Sequence, residues 1–425
     1  MSVIQVCGLH SLDGEIRIQG SKNAVLPVMA ASLLHSGTIV INNVPGIQDV
    51  FCMMGILTSL GCTCCLEGGR LTIDTAGLCS AGIPETESRQ MRSSVMLLGP
   101  LLGRLHEASG YHPGGCVIGK RPIDLHLYAL RRLGAEIEIR GEQIRASAAA
   151  LQGADICLTF PSVGATENAL MAAVAAEGVT CIRGAAREPE IEILCRFLQT
   201  MGARIEGIGE GLLVVHGGGK LHDAEFTMPG DRIVAGTYLG AVLAAGGSVY
   251  LRGAPWQQME SVLETAGKAG GCVRTDASGL WICMNRRPCP VELVTGPYPS
   301  FPTDLQSVML GVASLADGSS RITETIFEER FATAKELQKL GAHIIIEDRT
   351  ACVAGRKCLK GGCVRASDLR GGAALVVAGL AAEGVTEIAG YGYIRRGYED
   401  ICRDLQNVGA RICLLEDGSQ KPVRS

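Results

Sequence analysis

The chain has 425 residues, of which 47% are hydrophobic, and a formal net charge of −4. A chain of this length buries a large core and divides into two domains, and a pI near 6.1 excludes the overall positive field that would collect nucleic acid or an anionic membrane. Any bound anion must therefore meet local cations.

Met1 to Gly20 lacks a basic stretch followed by an apolar one, and no uncharged apolar run approaches the roughly 18 residues of a membrane span. The expectation is a soluble, cytosolic protein with no membrane partner. Eighteen cysteines fall below the density of a disulfide scaffold at this length, so most are expected as reduced thiols in the core. Cys62, Cys64 and Cys65 sit in an alternating, strand-like stretch without a second paired half, so no structural zinc is expected. An aromatic content of 4% beside 56 glycines points to close-packed small-residue helices rather than a base-stacking surface, and no nucleic-acid partner is expected.

In chain order, a helix-like stretch ending in glycine and followed by a short strand recurs six times. The junctions are Leu60-Gly61-Cys62, Leu133-Gly134-Ala135, Met201-Gly202-Ala203, Ala269-Gly270-Gly271, Leu340-Gly341-Ala342 and Val408-Gly409-Ala410. Each glycine takes the left-handed position that stops a helix, and the alternating residues after it begin a strand. In Asp124 to Arg140, Leu125, Leu127, Leu130 and Leu133 form a helical face before Ala135, Ile137 and Ile139 alternate with charged residues. The glycines fall about 70 residues apart, the period of a small α/β unit rather than a solenoid repeat.

Between these junctions lie Ala30 to Leu34, Met96 to Leu105, Leu170 to Glu177, Leu239 to Ala245, Met309 to Ala316 and Leu375 to Glu383. They are apolar on every side, which predicts helices buried all round. The chain thus divides into six α/β units, three to a domain.

Several polar positions stand out against this frame. Lys22 follows Gly20 and Ser21 and precedes Asn23 at a helix start, where free backbone N–H groups favour anions; a solvated first-turn lysine is the alternative. Cys116 lies in the glycine-rich run Pro113-Gly114-Gly115-Cys116-Val117-Ile118-Gly119 beside Lys120 and Arg121, and nearby cations raise thiol reactivity; the alternative is an inert loop thiol. Ser162-Val163-Gly164 is a short turn with N–H groups suited to a diphosphate, although such turns are common. Asp304 suits a general base and equally a helix cap for Leu305 to Ala316. Arg92, Arg330, Arg370 and Arg396 are forked donors for a phosphate and a carboxylate, against the reading that they are surface residues.

The segments Gly20-Ser21-Lys22-Asn23, Pro113 to Gly119 with Arg121-Pro122 and Asp124-Leu125-His126, and Phe301-Pro302-Thr303-Asp304 resemble the UDP-N-acetylglucosamine 1-carboxyvinyltransferase family. So do Ser162 to Thr166, Ala186-Arg187-Glu188-Pro189-Glu190, Asp231-Arg232-Ile233, Phe327-Glu328-Glu329-Arg330-Phe331 and Arg396-Gly397-Tyr398-Glu399. The matches run in order over essentially the whole chain. The resemblance implies an inside-out α/β barrel of two domains, each of three βαβαββ repeats around buried helices. It further implies that the chain crosses between domains twice, giving 22–230 as one domain, with the Cys116 loop as its lid, and 1–21 with 231–425 as the other, with the active site in the cleft between them.

The implied substrates are phosphoenolpyruvate and UDP-N-acetylglucosamine, joined in the first committed step of peptidoglycan synthesis without cofactor or metal. On the same resemblance Lys22 and Asn23 hold phosphoenolpyruvate, and Cys116 donates a proton and can add covalently to that substrate. Arg121, Pro122, Ile123, Asp124, Leu125, Ser162, Val163, Gly164 and Ile326 contact the nucleotide sugar, Asp304 is the base, and Arg92, Arg330, Arg370 and Arg396 complete the site.

Two departures are visible. Phe160 stands where some relatives have lysine, and Tyr393-Ile394-Arg395 where relatives commonly read His-Ile-Asp. A shikimate-pathway enolpyruvyl transferase and a non-catalytic nucleotide-sugar-binding paralogue remain as alternatives, the latter because of Tyr393 and Arg395. Oligomeric state is not encoded in any feature of the sequence.

Overall fold

Each of the six glycines at the helix–strand junctions has a positive φ, between 91° and 105°, at Gly61, Gly134, Gly202, Gly270, Gly341 and Gly409. A Cβ resists this backbone conformation, which is why glycine marks these six places. A helix precedes each junction: Gln48–Ser59, Asp124–Arg132, Pro189–Thr200, Glu260–Lys268, Ala332–Lys339 and Ile401–Gln406. A strand follows each one: Thr63–Glu67, Glu136–Arg140, Arg204–Glu206, Cys272–Asp276, His343–Glu347 and Arg411–Leu415.

The structure is a computed structural model and describes residues 2–112, 119 and 122–415. These fall into two compact units, one of 20–112 with 122–228 and one of 2–19 with 229–415. Each has a single hydrophobic core.

In the first unit the buried helices are Lys22–Ala31, Leu98–Leu105, which continues the 3-10 turn Arg92–Leu97, and Val163–Ala175. In the second they are Arg232–Ala245, Gln306–Ala313 and Leu369–Leu380, which pack on one another. All twelve residues of Leu369–Leu380 are buried, as an element without a polar face requires. Small residues let these helices approach closely. A Cβ on Gly240 would lie 2.4 Å from Val308 Cγ1, and one on Gly99 2.6 Å from the Asn168 carbonyl oxygen.

Most of the helices begin earlier than the apolar segments read from the sequence. Ala30 and Ala31, for example, are only the end of a helix that starts at Lys22 and is followed by the 3-10 turn Ser32–Leu34, and Leu170 to Ala175 belong to one that starts at Val163. Five of the six apolar segments start after their helix does, and Met96 to Leu105 starts inside the 3-10 turn Arg92–Leu97 that leads into Leu98–Leu105. Polar residues in each of these first turns or lead-in turns delay the hydrophobic signal. Lys22, Arg92, Ser162, Asp231, Asp304 and Arg370 all lie at or within two residues of these helix starts or of the 3-10 turns that lead into them.

Small sheets cover the helices. Thr38–Asn42 runs parallel to Ala224–Thr227 and antiparallel to Arg70–Asp74, which joins the two ends of the first unit. In the second unit Leu12–Arg17 runs parallel to Gly247–Arg252. Val3–Cys7 lies between Val385–Ala389 and Arg411–Leu415. The N-terminal residues are thereby held by strand pairing to the C-terminal half.

Seventeen cysteines among the described residues are free thiols, but the expectation that most lie in the core is corrected. Only Cys7, Cys62, Cys195 and Cys402 are buried. Many of the others, such as Cys65, Cys157, Cys272 and Cys363, occupy outward-facing positions of the small sheets, whose one solvated face accepts any residue that suits a strand. Among the described residues no cluster of metal-ligating side chains occurs, and no helix is long and apolar enough to cross a membrane.

Candidate active site

In the first unit, polar groups gather at the starts of the buried helices. Lys22 opens its helix after Ser21, and its Nζ lies 3.0 Å from Asp49 Oδ2, both side chains being largely buried. Asp49 is in the first turn of Gln48–Ser59, where a carboxylate meets the positive end of a helix. The pair keeps an ammonium oriented in a poorly hydrated setting. Asn23 is the next residue of the same turn.

Arg92 starts the 3-10 turn and its Nη2 donates to the Pro122 carbonyl at 3.4 Å. Ser162 caps Val163–Ala175, its hydroxyl accepting from Ala165 N at 3.4 Å. Val163 and Gly164 form the following turn and are partly exposed. Asp124 is exposed at the start of Asp124–Arg132, Leu125 is half-buried, and the Ile123 side chain belongs to the core.

His126 lies behind this surface. It is buried, its Nδ1 is 3.3 Å from Asn168 Nδ2, and its ring is the neighbour of Gly164. Burial, helped by the Arg92 charge, pushes its pKa down to about 3, so the imidazole is neutral at physiological pH. Asn168 also donates to the Val95 carbonyl at 3.1 Å and accepts from Gly99 N at 2.7 Å. One buried amide therefore ties the helix that follows Ser162 to the turn that carries Arg92. Glu167 is buried in the same helix, and its carboxyl is held well above the usual range by burial and then by Glu190 and Glu188.

In the second unit, Asp304 is the centre of a charged cluster. Arg330 Nη2 donates to Oδ1 at 2.7 Å and Arg370 Nη2 to Oδ2 at 3.0 Å. Both arginine side chains are 4% exposed, while that of Asp304 is 27% exposed. The cap reading of Asp304 fails: the buried helix starts at Gln306 and the preceding 3-10 turn at Thr303, and neither has a side-chain cap.

Glu324 braces the cluster from behind. It accepts from Thr303 Oγ1 at 2.9 Å and from the backbone N–H groups of Ile326 and Phe327 at 2.7 and 3.1 Å. Burial opposes the Arg370 charge, yet Asp304, then Tyr398 and Asp231, more than offset it, and the guanidinium is held above its ordinary pKa. Arg396 follows the short helix Tyr391–Ile394 and is half-buried, whereas Tyr393 and Arg395 are exposed. Phe160 is exposed as well.

The structure thus joins Asp304, Arg330 and Arg370 in one cluster and Lys22 with Asp49 in another. Cys116 and Arg121, and with them the loop expected as a lid, lie outside the described residues. Asp49, Asn168 and Glu324 were not singled out from sequence, and Tyr398 was named there only within the Arg396 to Glu399 motif, without a role. The polar triplet Thr166-Glu167-Asn168 ahead of the apolar run Ala169 to Ala176 is the local signal that marks Asn168.

This fold is shared with solved enolpyruvyl transferases. The enolpyruvyl transferase NikO from Streptomyces tendae superposes with a TM-score of 0.88 at 24% identity, over 97% of this chain and 98% of its own. EPSP synthase from Acinetobacter baumannii superposes at 0.75 and 19% identity, over 98% and 100%. The family described as EPSP synthase (3-phosphoshikimate 1-carboxyvinyltransferase) matches residues 6–405.

Sequence relatives narrow the class. UDP-N-acetylglucosamine 1-carboxyvinyltransferase 2 of Caldanaerobacter subterraneus subsp. tengcongensis is 45% identical over 413 residues, 97% of this chain and 99% of the relative. UDP-N-acetylglucosamine 1-carboxyvinyltransferase of Cellvibrio japonicus is 45% identical over 415 residues, again 97% and 99%. Within the broader EPSP synthase group, the chain belongs to the UDP-N-acetylglucosamine 1-carboxyvinyltransferase family.

Proposed function

We propose that this chain transfers the enolpyruvyl group of phosphoenolpyruvate to the 3-hydroxyl of UDP-N-acetylglucosamine and releases phosphate, the first committed step of peptidoglycan synthesis. The carrying observation is 45% identity along nearly the full length of relatives named for this reaction. The Asp304 cluster supports it, because a carboxylate fixed by two buried guanidinium groups is an oriented proton acceptor.

In this reading the sugar 3-hydroxyl gives its proton to Asp304 and its oxygen attacks the enol carbon, while Cys116 protonates the methylene carbon. The resulting tetrahedral adduct loses phosphate and one methyl proton to give the enolpyruvyl ether. Lys22, Asn23, Arg92, Arg121, Arg330, Arg370 and Arg396 supply positive or polar contacts to phosphate and carboxylate, and the turn at Ser162, Val163 and Gly164 takes the diphosphate. Pro122, Ile123, Asp124, Leu125 and Ile326 line the nucleotide sugar. A carboxylate or phosphate competing for Arg330 or Arg370 loosens their hold on Asp304, so arrival of the anionic substrate raises its basicity.

The architecture that goes with this function is the inside-out α/β barrel of three βαβαββ repeats per domain, with domains 22–230 and 1–21 plus 231–425. Six glycine-terminated junctions support it. On this reading the protein acts in the cytoplasm.

Product identification tests the reading. After incubation with both substrates, mass and NMR spectra should show UDP-N-acetylglucosamine carrying an enolpyruvyl ether at the 3-oxygen. Unchanged nucleotide sugar in the presence of folded protein favours the non-catalytic paralogue that Tyr393 and Arg395 keep open.

A further inference from the structure

Tyr398 is 1% exposed and packs among the buried helices of the second unit. A fully buried phenol needs a hydrogen-bond partner, and its hydroxyl lies 2.8 Å from Thr237 Oγ1. Thr237 has one hydroxyl hydrogen, already donated to the Ile233 carbonyl at 2.9 Å. Thr237 therefore accepts and Tyr398 donates. This orientation leaves the phenol oxygen's lone pairs for another donor.

The candidate donor is Arg370. Its guanidinium carbon is 6.0 Å from the Tyr398 ring centroid, and the residue is 3% exposed. Nη2 is committed to Asp304 at 3.0 Å, whereas Nη1 is buried without a hydrogen-bond partner among the described residues. The guanidinium thus has Asp304 as one anchor and the Tyr398 phenol as its polar neighbour. The chain of contacts runs from Asp304 through Arg370, Tyr398 and Thr237 to the first turn of Arg232–Ala245.

We propose that Tyr398, through its hydroxyl, is a positioning residue that fixes the Arg370 guanidinium and through it the direction in which Asp304 presents its carboxylate. The inference rests on the reading of Asp304 as general base. Phenylalanine at 398 keeps the ring and its packing, so it removes only the oriented oxygen. Arg370 can then turn and release Oδ2, while Arg330 still holds Oδ1. A small misplacement of a reacting group lowers turnover without weakening binding.

The test compares steady-state phosphate release and thermal unfolding for Tyr398→Phe, Thr237→Val, Thr237→Ser and Tyr238→Phe in the full chain. Tyr238 is the control. It is a second buried tyrosine of this core, whose hydroxyl donates to Asp404 at 2.7 Å. Tyr398→Phe and Thr237→Val should each lower kcat about 5- to 20-fold with KM for both substrates within about twofold, and should not be additive. Thr237→Ser, which keeps the accepting oxygen, should retain more turnover than Thr237→Val. A Tyr398→Phe enzyme within twofold of wild-type kcat overturns the inference. So does a loss no greater than that of Tyr238→Phe at equal thermal destabilisation. Should Tyr398→Phe fail to fold, the Thr237 pair decides. If Asp304→Asn is inactive while these variants are unimpaired, the inference alone falls. If Asp304→Asn turns over normally, the reading of the base falls with it.

Discussion

Replacing Asp304 by asparagine keeps its shape but removes its ability to take a proton. Turnover is expected to fall about 10²- to 10⁴-fold, while binding of the nucleotide sugar, measured by calorimetry, stays within a few-fold. The substitution also leaves Arg330 and Arg370, each with a side chain 4% exposed, without their shared counter-charge, and breaking a buried pair costs about 3 kcal/mol or more. The variant should therefore unfold at a lower temperature, and activity must be read well below it. Near-normal turnover in the folded variant would remove Asp304 as the base.

His126 makes a second residue-level claim. Its pKa in the fold is about 3, against about 6.5 unfolded. Between these values the unfolded chain binds the proton and the folded chain does not, so stability is lost as pH falls below about 6.5. The slope attributable to this group is about 1.4 kcal/mol per pH unit. Urea unfolding at pH 7.5 and 5.5 should show a smaller acid loss for His126→Gln than for wild type. Equal losses would mean that His126 is not buried in its neutral form.

At the level of elements, the contact between Leu98–Leu105 and Val163–Ala175 depends on an absent side chain. Gly99 N donates to Asn168 Oδ1 at 2.7 Å, and a Cβ there would sit 2.5 Å from that oxygen and 2.6 Å from the Asn168 backbone oxygen. Alanine improves helix propensity by about 1 kcal/mol, but overpacking against backbone costs about 1–3 kcal/mol and the hydrogen bond is strained as well. Gly99→Ala should be net destabilising by about 2 kcal/mol in chemical denaturation. A neutral or stabilising result would show that these helices are free to separate.

The helix–glycine–strand junctions were legible because each depends on local backbone chemistry. Gly134 and Gly202 stop helices for reasons contained within a few residues. The starts of the buried helices were not legible from hydrophobicity, because Lys22, Arg92 and Arg370 interrupt the apolar pattern where the helices begin. Those interruptions are candidate residues of each unit. A polar first turn on an otherwise buried helix leaves its free N–H groups and its side chains facing the same place.

For the whole molecule, the motifs pointed to candidate residues but not to how they pair. Asp304 meets Arg330 and Arg370 across 26 and 66 residues of sequence, and no local period encodes such contacts. The same holds for Lys22 with Asp49 and for Tyr398 with Thr237. The N-terminal strands posed a related problem, since Val3–Cys7 completes a sheet with strands 385–389 and 411–415. Repeat counting alone would have left it in the first unit.

The central claim concerns the acceptor. Phosphate release from phosphoenolpyruvate should be followed with the purified full chain and, in separate reactions, with UDP-N-acetylglucosamine, with shikimate 3-phosphate and with no acceptor. Release at enzyme-like rates, on the order of 1 s⁻¹ or faster, is expected with UDP-N-acetylglucosamine and only background in the other two. Release with shikimate 3-phosphate instead, or none with either acceptor from protein shown to be folded, would contradict it.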